Sequence, residues 1–198
     1  MFEVRIHGRG GQGVVTAAEM LALAAFDEGR YAQAFPSFGS ERMGAPVVAF
    51  CRIDEHEIRT REPVMEPDAL IVQDPTLLHQ VDVFGGCRPE GYILINTAKS
   101  FDELGLGGFV KGFRRERLLT VPASELAREH TGRAVANAAL LGGFAALTGA
   151  ISLDAVARAV RERFATAEAV AEGNVAAAGA AHQWVAAELQ ELTRATPA

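Results

Sequence analysis

The chain has 198 residues, of which 49% are hydrophobic and 22% charged, a balance typical of a globular rather than a disordered protein. Its 19 basic and 25 acidic side chains give a formal net charge of −6, which argues against nucleic acid or an anionic membrane as a partner. The two cysteines, Cys51 and Cys87, are too few and too far apart to hold an iron–sulfur cluster or a zinc ion.

Targeting signals are absent from the sequence pattern. The first residues do not show the charged segment followed by an apolar one that marks a signal peptide. No apolar run reaches the ~18 residues that a membrane-spanning helix needs. We therefore expect a cytoplasmic protein with no membrane contact and with reduced thiols.

Strands and helices are predicted to alternate over the first two thirds of the chain. Residues 2–7 predict a strand, and residues 13–28 predict a helix with Gly29 at the position of its C-cap. Asp74-Pro75 predicts the start of another helix, with proline in its first turn. Further strands are predicted at residues 31–35, 47–53, 69–73, 92–96 and 118–121, with a short one around Ile58 and Arg59.

From Ser124 onward the pattern becomes helical. Helices are predicted at residues 134–148, 153–164 and 168–192, the second with Ser152 as its N-cap. We therefore expect an α/β fold with a mostly parallel sheet, helices on both faces and a helical C-terminal region. Because no linker or internal repeat divides the chain, residues 1–198 are predicted to form one domain.

The segment IHGRGGQGVVTAAEM, residues 6–20, contains the G-x-G-x-x-G pattern of nucleotide-binding loops. Gly8, Gly10 and Gly13 fill the pattern, and Gly11 is a fourth glycine. A strand, a glycine-rich loop and a helix direct backbone N–H groups and the positive end of the helix dipole at one spot, where an anion fits. The segment therefore predicts a Rossmann-like unit with an anion-binding loop.

Residues that would make this loop a dinucleotide or ATP site are missing. A dinucleotide site needs an acidic residue about 20 positions further on, but Gln33 stands there and residues 31–36 contain no Asp or Glu. No Lys-Ser/Thr pair follows Gly13, so the loop is not a P-loop. The alternative is a tight turn that packs helix against sheet, which leaves Arg9 and Gln12 unexplained.

A second loop, FPSFGSERMGAP at residues 35–46, combines aromatic, charged and glycine residues. Loops at the carboxyl ends of strands line the ligand crevice of an open α/β sheet, and the planar guanidinium of Arg42 suits a phosphate or carboxylate. The alternative is an interface loop whose Phe35 and Phe38 are buried against another chain.

Four stretches, in this order along the chain, carry a family resemblance: RIHGRGGQGVVTAAEMLALAAFDEG, YAQAFPSFGSERMGAPVVAFCRID, PDALIVQDPTLL and VANAALLGGFAALTGAISLDAVARAVRERF. Together they resemble the gamma subunit of the 2-oxoacid:acceptor oxidoreductases, the pyruvate:ferredoxin oxidoreductase superfamily. The resemblance covers nearly the whole chain. It implies a Rossmann-like fold and a role as one part of a multisubunit enzyme.

Enzymes of this family oxidatively decarboxylate a 2-oxoacid with coenzyme A (CoA), and the products are an acyl-CoA, CO2 and two low-potential electrons. The resemblance implies alpha, beta and delta subunits as partners, which hold thiamine diphosphate, Mg and [4Fe–4S] clusters. The electrons would pass through those subunits to ferredoxin or to NAD, and the substrate would be pyruvate or an aliphatic or aryl analogue such as phenylglyoxylate. Because the carbanion needs an electron sink that side chains do not supply, we expect this chain to bind no cofactor alone and to be catalytically insufficient.

The resemblance also implies that both loops lie near the active site of the complex and near CoA. The candidate CoA-facing residues are Gly8, Arg9, Gly10, Gly11, Gln12, Gly13, Ser40, Glu41, Arg42 and Gly44. No residue of the chain is a candidate catalytic residue or metal ligand. Two alternatives remain: a scaffold subunit without ligand contacts, and a stand-alone NAD-binding Rossmann protein.

Overall fold

A computed structural model describes residues 1–37 and 43–195, with side chains through Arg194. The strands in this part of the chain are β1 (Phe2–Arg9), β2 (Tyr31–Pro36), β3 (Pro46–Asp54), β4 (Ala69–Val72), β5 (Tyr92–Asn96) and β6 (Leu118–Val121). The α-helices are α1 (Val14–Asp27), α2 (Ala123–Thr131), α3 (Asn137–Thr148), α4 (Leu153–Arg163) and α5 (Glu168–Ala195). Short 3₁₀ helices lie at Pro75–His79, Phe109–Gly112 and Arg115–Arg117.

The strands form one sheet in the order β2-β3-β1-β4-β5-β6. Strands β1, β4, β5 and β6 are parallel, whereas β3 is antiparallel to both of its neighbours, β1 and β2. The connection from β2 to β3 is too short for a crossover helix, so β3 must return antiparallel to β2. The predicted α/β fold with a mostly parallel sheet is confirmed.

The two faces of the sheet are covered by different kinds of helix. Along β4, Ala69 and Ile71 face the α-helical layer, while Leu70 and Val72 face the opposite side. Helices α1, α3, α4 and α5 build the larger core on the first face. Loops and short 3₁₀ helices, Pro75–His79 among them, cover the second face. Helices therefore lie on both faces as predicted, but those of the second face are single turns.

The helical C-terminal region is also confirmed. Ser152 is the N-cap of α4, as predicted, and its Oγ accepts a hydrogen bond from Ala155 N at 3.1 Å. Helices α3 and α5 pack closely, because a Cβ on Gly142 would overlap the carbonyl oxygen of Ala178. Within residues 1–37 and 43–195, no helix has the combination of length and hydropathy that a membrane crossing requires.

The strand predicted around Ile58 and Arg59 is wrong, because residues 57–61 have no regular structure. Ile58 stands alone among charged residues, so a strand there would bury too little apolar surface to be stable. The helix predicted at Asp74-Pro75 is a 3₁₀ helix of five residues, for which Asp74 is the N-cap.

Candidate functional site

The glycine loop, residues 8–13, leads the chain from the carboxyl end of β1 into α1. Gly11 and Gly13 have positive φ angles of 91° and 75°, a left-handed backbone that residues with a Cβ adopt at a cost. A Cβ on Gly8 would lie 2.5 Å from Val14 Cγ2, so the loop also needs glycine to pack against α1. Backbone conformation and packing thus explain the glycines at positions 8, 11 and 13.

Helix α1 begins without a side-chain cap, because its N-cap is Gly13. The helical hydrogen-bond ladder starts with Ala17 N, which donates to Gly13 O at 2.9 Å. The first-turn N–H groups before it point out of the helix with the positive end of the dipole. They adjoin a pocket of about 110 Å³ lined by the glycine loop, the first turn of α1 and Val47. This pocket has room for a phosphate or carboxylate group.

Residues 43–45, which lead into β3, lie beside the glycine loop. Gly10 N donates a hydrogen bond to Ala45 O at 2.9 Å, and Gly44 N donates to Gly10 O at 3.0 Å. Met43 forms an isolated bridge with Gly10, and the residue is 86% exposed. The fold therefore brings the two candidate loops together at Gly44. The candidates that lie outside the described residues are Ser40, Glu41 and Arg42.

Arg9 is the last residue of β1 and the second residue of the glycine loop. Acceptors from two segments, residues 74–80 and Gly44, hold its guanidinium. Nε forms an ion pair with Asp74 Oδ2 at 3.0 Å. Nη1 donates to Gly44 O at 3.1 Å. Nη2 donates to Thr76 Oγ1 at 2.6 Å and to Gln80 Oε1 at 2.8 Å. All three nitrogens of the guanidinium are thus engaged within the chain.

Asp74 accepts hydrogen bonds at both carboxylate oxygens. Oδ2 accepts from Arg9 Nε and, at 2.8 Å, from Gln12 Nε2. Oδ1 accepts from Thr76 N at 2.9 Å and from Thr76 Oγ1 at 2.6 Å. Burial raises the pKa of Asp74, but the hydrogen bonds from Thr76 and Gln12 and the charge of Arg9 outweigh it and hold the pKa below its ordinary value. Asp74 is therefore ionised at neutral pH and balances the charge of Arg9.

Three buried amide side chains lie beneath the glycine loop. Gln73 Nε2 donates to Gln12 O at 2.6 Å and to Asn137 Oδ1 at 2.7 Å. Asn137 Nδ2 donates to Gly13 O at 3.1 Å, and Asn96 Nδ2 donates to Gln73 O at 2.9 Å. These bonds join the carboxyl ends of β4 and β5 and the start of α3 to the glycine loop.

Asp74 is a site residue that the sequence pattern did not reveal. The position about 20 residues past Gly13 falls in β2, but β3 separates β2 from β1. The parallel neighbour of β1 is β4, and Asp74 comes two residues after that strand ends. An acidic residue at the carboxyl end of a strand was the available signal, since ligands of open α/β sheets bind at that edge.

Comparisons with known proteins identify the family of the chain. Residues 3–184 match the family described as pyruvate ferredoxin/flavodoxin oxidoreductase. The chain is 48% identical to pyruvate synthase subunit PorC of Methanosarcina barkeri over 161 residues, which cover 81% of this chain and 85% of that one. It is also 48% identical to the pyruvate/ketoisovalerate oxidoreductases common subunit gamma of Pyrococcus furiosus over 164 residues, 83% of this chain and 87% of that one.

Solved structures share the fold. The pyruvate oxidoreductase subunit PORC of Thermotoga maritima superposes with a TM-score of 0.76 at 33% identity, covering 92% of this chain and 95% of that one. The 2-oxoglutarate:ferredoxin oxidoreductase of Magnetococcus marinus, solved with 2-oxoglutarate, coenzyme A and succinyl-CoA bound, superposes with a TM-score of 0.68 at 19% identity. That match covers 99% of this chain but 32% of the other, so it adds evidence for the fold alone.

The predicted resemblance to the gamma subunits is confirmed by these matches over most of the chain. The chain belongs to the pyruvate ferredoxin/flavodoxin oxidoreductase family.

Proposed function

We propose that this chain is the gamma subunit of a multisubunit, CoA-dependent 2-oxoacid:ferredoxin oxidoreductase, with pyruvate as the favoured substrate. The observation that carries the proposal is the glycine loop with its uncapped helix and anion-sized pocket, in a chain 48% identical to a pyruvate synthase subunit. On this proposal the chain works with alpha, beta and delta subunits, and ferredoxin accepts the electrons of the complex.

We propose that the other subunits determine which 2-oxoacid the complex accepts. One relative is named as a subunit common to pyruvate and ketoisovalerate oxidoreductases, so a single gamma subunit there serves two substrates. The pocket at the glycine loop is about 110 Å³ and adjoins a helix N-terminus, a position that favours an anion. An aryl substrate such as phenylglyoxylate would likewise be selected elsewhere in the complex.

The proposed task of the chain is to hold an anionic group of CoA against the glycine loop. Gly11 and Gly13 supply the left-handed backbone that turns the chain into α1, and the dipole of α1 favours negative charge at its N-terminus. Ser40, Glu41 and Arg42 belong to the neighbouring loop, where Arg42 would add a charge-assisted bond to a CoA phosphate. A subunit with these contacts contributes positioning of CoA and leaves the decarboxylation chemistry to its partners.

Electron transfer does not fit the side chains of this chain. A [4Fe–4S] cluster is held by cysteine thiolates, whereas the chain has two cysteines. One of them, Cys51, lies in the core, where burial raises its pKa to about 12. The described residues contain no cluster of three or more His, Cys, Asp or Glu side chains that could bind a metal. On this proposal, thiamine diphosphate, Mg and the iron–sulfur clusters belong to the partner subunits, where thiamine supplies the electron sink for the carbanion.

The proposal is tested by steady-state kinetics of the complex, co-expressed with its genomic neighbours and assayed with pyruvate, CoA and ferredoxin. Arg42→Ala should raise the KM for CoA roughly 10- to 100-fold and spare the KM for pyruvate, because a hydrogen bond to a charged group contributes about 1.5–3 kcal/mol. Arg59→Ala is the matched control, since Arg59 is an exposed arginine paired with Glu57 at 2.9 Å in another loop.

The outcomes separate the competing functions. An unchanged KM for CoA in Arg42→Ala, with an intact complex, would favour a scaffold subunit without ligand contacts. Calorimetric binding of NAD to the chain would favour the stand-alone Rossmann protein, although both oxygens of Asp74 are occupied by protein donors. Electron transfer from the complex to NAD rather than ferredoxin would change the acceptor and leave the role of the chain intact.

A further inference from the structure

The geometry points to a positioning role for Asp74. We propose that Asp74 holds the side chains of Arg9 and Gln12 in place. In this way it fixes the glycine loop relative to residues 43–45, in the arrangement that binds CoA. The inference rests on the proposed function for its link to CoA, but the contacts that support it lie within this chain.

Asp74 reaches the glycine loop from the adjacent strand. Its Oδ2 accepts hydrogen bonds from Arg9 Nε and Gln12 Nε2, which lie near the two ends of the glycine loop. Gln12 Oε1 in turn accepts a hydrogen bond from Arg9 N at 2.8 Å. Gln12 is thus fixed at both ends of its amide. Removal of the carboxylate would leave Gln12 Nε2 without this acceptor and Arg9 Nε with only its longer contact, Thr76 Oγ1 at 3.3 Å.

Arg9 transmits this constraint to the second loop. Its Nη1 donates to Gly44 O, and Gly44 N in turn donates to Gly10 O. Because the other bonds of Arg9 run to Asp74, Thr76 and Gln80, four of the five N–H donors of the guanidinium are engaged within the chain and hold the side chain in place. Arg9 therefore acts through Gly44, at the base of the segment that carries Arg42.

The charge of Asp74 is part of the arrangement. Arg9 has a side-chain exposure of 21% and Asp74 of 11%, so water screens their attraction less than at an open surface. An amide in place of the carboxylate would present an N–H to either the Arg9 and Gln12 donors or the Thr76 donors. On the side of Arg9 and Gln12 the amide N–H would face two donors; on the side of Thr76 it would face the backbone N–H, while the hydroxyl can accept instead.

Asp74→Asn tests the proposal, and Asp68→Asn is its matched control. Asp68 precedes the opposite end of β4 and also accepts from a backbone N–H, that of Glu3 at 2.8 Å, and from an arginine, Arg88 at 2.6 Å. Both variants are prepared in the full complex. Hydrogen–deuterium exchange is followed in peptides covering residues 8–16 and 43–47, and the KM for CoA, the KM for pyruvate and kcat are measured.

Asp74→Asn should increase exchange in both peptides and raise the KM for CoA roughly tenfold, with the KM for pyruvate and kcat retained. Asp68→Asn should change none of these quantities. A purely structural role would lower the amount of active complex and would not raise the KM for CoA selectively. Unchanged exchange in both peptides of Asp74→Asn would overturn the positioning role, whatever the KM values.

Failure of the proposed function has a different signature. If Asp74→Asn increases hydrogen–deuterium exchange but leaves the KM for CoA unchanged, Asp74 does position the two loops, and the proposal that CoA binds there is contradicted. If Asp74→Asn does not assemble, Arg9→Lys replaces it, because lysine keeps the charge opposite Asp74 but loses the guanidinium fork that reaches Gly44 O and Gln80 Oε1. The proposal then requires that hydrogen–deuterium exchange in residues 43–47 increases in Arg9→Lys.

Discussion

Asn137 Nδ2 donates a hydrogen bond to the carbonyl oxygen of Gly13 at 3.1 Å, joining residues 124 positions apart in the chain. Asn137 is the first residue of α3 and Gly13 is the N-cap of α1, so the bond ties the N-termini of two helices together. Asn137 is also held from β4, because its Oδ1 accepts from Gln73 Nε2 at 2.7 Å. The end of the glycine loop is therefore anchored by the third helix and the sheet.

Gly13→Ala should destabilise the chain more than Gly29→Ala. Both glycines have positive φ, 75° and 80°, so alanine costs about 1–2 kcal/mol at either position. A Cβ on Gly13 would in addition overlap Asn137 Nδ2, whereas nothing lies within 4 Å of a Cβ on Gly29. Urea denaturation of both variants should give an extra loss in unfolding free energy of about 1 kcal/mol or more for Gly13→Ala. Equal losses would mean that Asn137 moves aside freely.

Two helical glycines should respond to alanine in opposite directions. A Cβ on Gly142 would overlap the carbonyl oxygen of Ala178 in α5, so Gly142→Ala must separate α3 from α5 and cost about 1–3 kcal/mol. A Cβ on Gly179 would meet nothing within 4 Å, so Gly179→Ala should gain about 0.5–1 kcal/mol from helix propensity. Thermal unfolding should lower Tm for the first variant and raise it for the second. A stabilising Gly142→Ala would contradict the close helix crossing.

His7 should make the stability of the chain depend on pH. Burial and the neighbouring charge of Arg5 lower the pKa of His7 to about 4, and within the described residues its buried Nε2 has no hydrogen-bond partner. Because the folded pKa lies below the ordinary 6.5, the stabilising contribution is complete above pH 6.5 and is lost as pH falls toward 4. The loss is at most about 1.4 kcal/mol per pH unit.

His7→Phe is the variant that isolates this contribution. Unfolding free energies of the variant and the original chain, measured from pH 8 to pH 4, should diverge in slope below pH 6.5, with the shallower slope in the variant. The comparison uses the slopes of unfolding free energy against pH. A difference in packing energy between phenylalanine and histidine that does not depend on pH therefore does not affect the result. Parallel curves over the whole range would show that His7 is not the titrating group.

Cys87 should react with alkylating reagents before Cys51. Burial raises the pKa of both thiols, to about 12 for Cys51, but Cys87 is only partly buried and Arg5 partly offsets the effect there. Because the thiolate is the reactive form, iodoacetamide at pH 8 should label Cys87 slowly and leave Cys51 unmodified in the folded chain. Peptide mass spectrometry measures both sites, and labelling of Cys51 at the rate of Cys87 would contradict its burial.

The local sequence pattern was sufficient to predict most of the strands and helices. The strand from residue 92 to residue 96, the Ser152 cap of α4 and the helix before Gly29 follow from apolar periodicity and capping preferences, which act over a few residues. The wrong strand near Ile58 shows the limit of such a pattern, since a short apolar signal forms a strand only where a sheet can bury it. Strand order was beyond local pattern as well, because β3 inserts between β1 and β2.

The amino-acid sequence by itself determined the α/β class, the glycine loop at the end of β1 and the family, since periodicity, turn residues and long motifs are all local or linear properties. The tertiary structure decided which residues meet at that loop. Asp74, Gln73 and Asn137 reach it from other elements over separations of 61 to 124 residues. Strand order and helix packing determine such partners, because they bury polar groups from distant parts of the chain side by side. Each buried polar group must then form a hydrogen bond with one of its new neighbours.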